Sequence, residues 1–314
     1  MMRNSFLTLI LLCLSATSCS KHEELTPSIS YTPPHHVVHQ MASGFAPLTD
    51  SEVQSDWGRE LLIGSTLAQE QDFYQAILAL KRARILQKHH TGPRTPIPRQ
   101  DQVAYDMCLA YMLSSKYDVI THAFETGKLD AITPESPVFT SALIILYDAY
   151  LHQKNPAKAQ EIYDVIENQS KPKAAQLKAY KNIFTLDKEG LLSDPKTEVL
   201  YTSYSARKKH PMTAGALNAV LPGSGYVYVG QIQSGVTSLM LNALFIAATY
   251  QFATHHQVAP AIISFGFEMG WYVGGIHGAY LAAEEYNNTL YSAHANEYLR
   301  KEKLFPIFQI EYGF

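Results

Sequence analysis

Two apolar runs joined by a short polar loop stand apart from an otherwise mixed chain. Gly235 to Ala253 reads GVTSLMLNALFIAATYQFA, Ala259 to Ala283 is longer, and Thr254-His255-His256-Gln257 lies between them. At 1.5 Å of rise per residue the first run nearly matches the ~30 Å of a bilayer core. The pattern predicts a two-helix membrane hairpin; a pair of core helices in a soluble protein is the alternative, because Asn242, Gln251 and Glu268 interrupt the runs. Between Ala214 and Ala283 the only formally charged residue is Glu268.

Within the second run, Gly266, Gly270, Gly274 and Gly278 recur every four residues, which places them along one slowly drifting helical stripe. Lipid tails are as apolar as Leu, so helices in lipid gain by close backbone packing, and small residues permit it. The four glycines are therefore the predicted helix-packing face, with Gly235, Ser238 and Asn242 opposite on the first helix. Glu268 falls off that stripe. With Asn242 it forms a candidate intramembrane polar site, read either as structural, neutral or bonded to Tyr272, or as part of a proton or ion path.

Leu221-Pro222-Gly223-Ser224-Gly225-Tyr226-Val227-Tyr228-Val229-Gly230 precedes the first run. Pro222 stops a short preceding helix, and Gly223 and Gly225 admit a tight backbone. The Pro222, Gly223, Gly225, Tyr228, Gly230 pattern followed by two apolar helices resembles the small two-transmembrane-helix modules of bacterial envelope proteins. That resemblance implies a membrane module and no established catalytic activity. A phosphate-cradling loop is not implied, since no G-x-x-x-x-G-K-[ST] is present.

Upstream, the pattern from Ser51 to about Tyr180 has helical period. Gly64, Leu67, Phe73, Ala76, Leu80 and Ala83 form the clearest unit; Cys108, Tyr111, Tyr117, Ile120 and Phe124 align as a second, and Tyr147, Tyr150, Ala159 and Tyr163 as a third. These units resemble the tetratricopeptide repeat (TPR), which implies helical hairpins that dock partner segments. The predicted fold is all-α: an irregular TPR-like helical-hairpin array followed by a glycine-rich two-helix membrane hairpin. The predicted divisions are a signal peptide at 1–18, a flexible tether at 19–50, the helical domain at 51–190, a linker at 191–210, the membrane module at 211–290, and an amphipathic tail with a terminal strand at 291–314. The strand is read from the alternation of Phe308, Ile310, Tyr312 and Phe314 with polar residues and Gly313.

At the start, Arg3, an apolar centre at Phe6 to Leu14, and Ala16-Thr17-Ser18 before Cys19 resemble a bacterial lipoprotein signal, which implies lipidation, with palmitate, at Cys19. An ordinary cleaved signal and an uncleaved anchor are the other readings, and in each the following domain leaves the cytoplasm. The basic groups Arg207-Lys208-Lys209 and Arg300-Lys301-Lys303 point the other way by the positive-inside tendency. Of the three cysteines, only Cys108 remains for the mature domain, so no intramolecular disulfide is predicted and a buried, inert thiol is. His35, His36 and His39 lack a carboxylate or thiol to complete a metal site. A net charge of −3 gives no nucleic-acid footprint. No catalytic constellation, cofactor or metal site is predicted. The expected partners are membrane lipid, an unidentified protein bound through the repeats, and a further copy of the chain.

Overall fold

The computed structural model describes Pro27, Ile29 and residues 34–89 and 98–314. The predicted signal segment 1–18, the predicted lipidation residue Cys19 and the first part of the predicted tether lie outside the described residues. The fold is all-α; among the described residues there is no strand, and a single bridge joins Ser43 to Gly313. The chain divides into two compact units, one formed by 29–203 with 293–314 and the other containing 204–292.

The larger unit runs through α1 (His35–His39), α2 (Asp50–Gln54), α3 (Asp56–Gln69), α4 (Phe73–His89), α5 (Pro98–Leu113), α6 (Tyr117–Glu125), α7 (Phe139–His152), α8 (Pro156–Gln169), α9 (Lys171–Phe184), α10 (Lys188–Leu192) and most of α11 (Pro195–Arg207). Starts are marked by side-chain caps. Thr49 and Glu52 form a reciprocal capping box at α2, and Ser55 accepts from the Gly58 amide at α3. Four hairpins, α3–α4, α5–α6, α7–α8 and α9–α10, close with one repeated turn. Gln71, Ser115, Lys154 and Leu186 take the left-handed conformation, 44, 39 and 32 residues apart in order. In each, the next amide reaches back five residues: Asp72 to Leu67, Lys116 to Tyr111, Asn155 to Tyr150 and Asp187 to Asn182. That 6→1 bond satisfies a helix-terminal carbonyl and turns the chain back on itself.

Small residues allow the first hairpin to close. A Cβ on Gly64 would lie 2.8 Å from Leu80 Cγ and 3.3 Å from the Ala76 carbonyl, and Ala76, Leu80 and Ala83 are fully buried. Inside the unit, Tyr105, Tyr147, Tyr150 and Tyr180 have almost no exposure. The Tyr180 hydroxyl donates to Asp148 Oδ1 at 2.9 Å. Cys108 is free and buried, and burial pushes its thiol up to about 12, the inert state expected from its apolar neighbours.

Three predicted divisions change. Part of the tether is packed: Val38 is buried, and the Ala46 and Pro47 carbonyls accept from Arg99, which also grips Glu52 at 2.8 and 2.9 Å. That guanidinium holds the Glu52 carboxyl down at about 2. The linker 191–210 is largely helical, because Leu191, Leu200 and Tyr204 supply a buried face that its polar composition obscured. The terminal strand is absent. Pro306 opens a 3₁₀ turn (Pro306–Phe308), and among the described residues the segment that follows pairs only through the Gly313 bridge to Ser43. Instead Phe305, Ile307 and Ile310 are buried, the Tyr312 carbonyl accepts from Tyr105, the Glu311 amide donates to Ser141, and Lys173 pairs with Glu311.

The smaller unit holds α12 (Pro211–Val220), α13 (Ser224–Tyr228), α14 (Ile232–Thr254) and most of α15 (Val258–Lys301). α14 turns into α15 through left-handed His256, with the same five-residue bond from the Gln257 amide to Phe252.

Candidate functional site: the polar seam of the apolar hairpin

Pro222 cannot continue α12, and the chain turns there through Gly223 at φ 93°. A Cβ on Gly223 would stand 2.1 Å from the Gly235 carbonyl, and one on Gly225 would stand 2.1 Å from the Ala214 carbonyl and 2.8 Å from Ala279 Cβ. Both glycines are required by backbones that cross at touching distance. Asn218 Oδ1 accepts from the Gly223 amide at 2.8 Å, and the Tyr272 hydroxyl donates to the Ala219 carbonyl at 2.6 Å. Tyr228 accepts from the His210 amide at 3.2 Å and lies beneath the Lys209 ammonium at 4.7 Å. Asn287 exchanges two bonds with the Lys209 backbone, at 2.8 and 2.7 Å. Thus Pro222, Gly223, Gly225 and Tyr228 build the crossing where the short helices meet α14 and α15, while Gly230 turns at φ 90° in open space.

The two long helices face one another through small and polar side chains. On α14 the shielded positions include Gly235, Ser238, Asn242, Phe245, Thr249 and Phe252, with Leu241 and Ala248 beside them; on α15 they include Ala261, Ser264, Glu268, Tyr272, Gly275, Ala279 and Ala282, with Ile276, Gly278, Tyr280, Ala283 and Glu284 beside them. Both series step by threes and fours, the period of a left-handed helix pair. Two contacts fix the register. Ser238 Oγ lies 3.6 Å from where a Gly275 Cβ would stand, and the Phe245 and Phe267 rings stack at 5.9 Å.

This seam corrects the predicted packing face within the chain. Gly266, Gly270 and Gly274 have no heavy atom within 4 Å of a Cβ position, and only Gly278 is engaged, against the Tyr226 hydroxyl. The packing glycine is Gly275, one residue beyond the stripe, set against Asn218 and Ser238. Of the alternatives for Glu268, the bond to Tyr272 is not formed: the Tyr272 hydroxyl donates to Ala219 instead. Gly235, Ser238 and Asn242 are the buried residues of α14, on the face assigned to them.

Outward, the same helices show Leu239, Met240, Leu244, Ile246 and Tyr250, and Ile262, Ile263, Phe267, Trp271 and Val273. Polar groups turn in and apolar groups turn out, the reverse of a soluble helix pair. Among the described residues one helix, Ile232–Thr254, is long and apolar enough to cross a membrane. Inside, several polar atoms lack partners. Ser238 Oγ, Asn242 Oδ1, Thr249 Oγ1 and Glu268 Oε2 are buried without a hydrogen bond, while Asn242 Nδ2 donates to the Ser238 carbonyl at 2.6 Å. Thr249, Gly275 and Asn218 were not singled out from sequence; the seven-residue steps Gly235, Asn242, Thr249 and Glu268, Gly275, Ala282 carry the first two, and no spacing carries Asn218.

No group of His, Cys, Asp or Glu that could hold a metal by itself occurs among the described residues. Compared with known proteins, the chain matches no family model, no curated protein and no solved structure.

Proposed function

We propose that the chain is a lipid-anchored scaffold of the bacterial cell envelope, whose TPR-like helical unit docks partner proteins beside a membrane held by the α14–α15 hairpin. The inverted hairpin, apolar outside and polar inside, carries the membrane part of this reading. The larger unit contributes an argument about topology. It takes residues from both sides of the hairpin, so 203 and 293 share a compartment, and the chain between them crosses an even number of times or dips in and returns. Both basic groups then lie on the same side of the membrane, the side on which Lys and Arg can bind anionic lipid. The docking part is favoured by exposed apolar residues on the first hairpin: Leu62 and Ile63 on α3, and Tyr74, Leu78 and Ile85 along α4.

The test combines intact mass with membrane fractionation of the expressed chain. An acylated N-terminus at Cys19, carbonate-resistant sedimentation and protease cleavage of the larger unit from outside the cytoplasm are expected. A soluble chain retaining Met1 rejects the reading. For docking, a photo-cross-linking residue at Tyr74 should give a discrete protein adduct in cells, whereas one at exposed Glu161 on α8 should not. A second reading, in which copies of the hairpin assemble into a transport or pore element, is favoured by one observation, the unpartnered Glu268 in the seam. Glu268→Gln removing ion flux from proteoliposomes would select it.

A further inference from the structure

We infer that the outer face of α4 is a docking seam for an acidic amphipathic helix of a partner protein, laid side by side with α4. The inference rests on the docking reading proposed above and names the class of partner. Tyr74, Leu78, Lys81, Ile85 and Lys88 follow one another by four and three residues along the whole of α4, and at 100° per residue they fall within about 80° of arc. All five are exposed, the three apolar side chains by 70%, 41% and 55% in chain order. The opposite face, with Ala76, Ala79, Leu80 and Ala83, is the one buried in the unit. Steps of four and three are the seam of a left-handed helix pair, and among the described residues no helix covers this one.

Charge selects the occupant. α4 carries Lys81, Arg82, Arg84 and Lys88 and no Asp or Glu. Arg82 is answered by Glu60 on α3 at 2.9 Å, whereas Lys81 and Lys88 form no ion pair among the described residues. The Lys81 ammonium stands 5.8 Å from the centre of the Tyr111 ring, a contact that leaves its charge unneutralised. Residues 90–97, next in the chain, contain no carboxylate either. In a two-helix seam a lysine lays its stem along the apolar contact and sends its ammonium to the partner's flanking positions, where Glu or Asp completes it. A second copy of α4 does not fit. Lys81 is the middle residue of the stripe, so pairing in register, parallel or antiparallel, sets Lys81 against Lys81. An interfacial helix sinks a broad apolar face into lipid, and this stripe is one side chain wide. The occupant that answers both features is a helix with apolar residues at heptad spacing over about 21 Å, flanked by acids.

The experiment uses the full chain in nanodiscs of uncharged lipid and a fluorescently labelled three-heptad peptide with Leu at a and d and Glu at e and g, read by anisotropy. One control peptide carries Lys at e and g, another Ser at a and d. Only the acidic amphipathic peptide is expected to bind. Leu78→Ser and Lys81→Glu should each weaken it by about tenfold, with circular dichroism unchanged because both side chains are exposed. The pair Lys81→Glu with Lys88→Glu should instead accept the Lys-flanked peptide, a reversal that loss of folding cannot produce. No binding, equal binding of the three peptides, or binding indifferent to Leu78→Ser would overturn the inference, as would a Tyr74 photo-adduct in cells to lipid or to a second copy of the chain. A protein adduct at Tyr74 without peptide binding keeps docking and rejects the acidic helix; peptide binding without any cellular adduct counts against the docking reading and not against the chemistry of the seam.

Discussion

Lys154 occupies a left-handed turn position at φ 55° with its side chain exposed, so its backbone carries a cost that glycine does not. Left-handed geometry disfavours an L side chain by about 1–2 kcal/mol, and glycine gives back roughly 0.5–1 kcal/mol through its freer unfolded chain. Lys154→Gly is accordingly expected to stabilise the larger unit by ~0.5–1 kcal/mol, read as a raised denaturation midpoint. Asp106 offers a second case. Its carboxyl is fully buried, one oxygen takes a bond from Ser65 at 3.1 Å, the other has none, and burial pushes it up to about 7. An acid raised on folding favours the native state while protonated, so its support is complete below the ordinary carboxylate range and is lost as pH rises through about 7. Asp106→Asn should therefore raise stability above pH 7 by ~2–4 kcal/mol and change little near pH 4. Glu52 titrates in a lower window with the opposite sign. Held down at about 2, it contributes at neutral pH, and its support is lost as pH falls from its ordinary 4.5 through that value. The two carboxyls can thus be separated by a pH series of melting curves on wild type and Asp106→Asn.

Among the elements, the helices of the larger unit were legible from apolar period, and the close pair at Gly64 and Ala76 from small residues at helical spacing. Their turns were not. The left-handed positions are Gln71, Ser115, Lys154 and Leu186, none of them glycine, so the usual stop signal is missing. The hairpin misled in the opposite sense. Four glycines in register advertise close packing, yet the inner face went to Ser238, Asn242, Thr249 and Glu268, residues with hydrogen-bonding groups. A pair of substitutions separates the faces. Gly275→Leu drives a side chain into Asn218 and Ser238 and should part the helices, whereas Gly270→Leu enters open space. With cysteines at Thr249 and Ser264, level across the seam, disulfide cross-linking should persist in Gly270→Leu and fall sharply in Gly275→Leu. Buried Cys108 should not compete.

For the whole molecule, the main lesson is that the last residues belong to the helical unit and not to a tail. The alternation suggested an amphipathic tail ending in a strand; the segment's partners, Tyr105, Ser141 and Lys173, are between 138 and 207 residues away and leave no local signal. Removing residues 305–314 exposes the faces that cover Phe305, Ile307 and Ile310. At ~1.5–3 kcal/mol for each large apolar side chain, the truncated chain should lose most of its margin of stability. Circular dichroism should show a lower, broader melt, and limited proteolysis should open the α5–α7 region first.

The discontinuous make-up of the larger unit also sets an order of events during synthesis. Residues 29–203 emerge first but lack the segment that completes their core, and the apolar hairpin is made before that segment appears. Closure of the helical unit therefore follows synthesis of the hairpin, and until residues 304–310 arrive the surfaces that cover Phe305, Ile307 and Ile310 have nothing to cover.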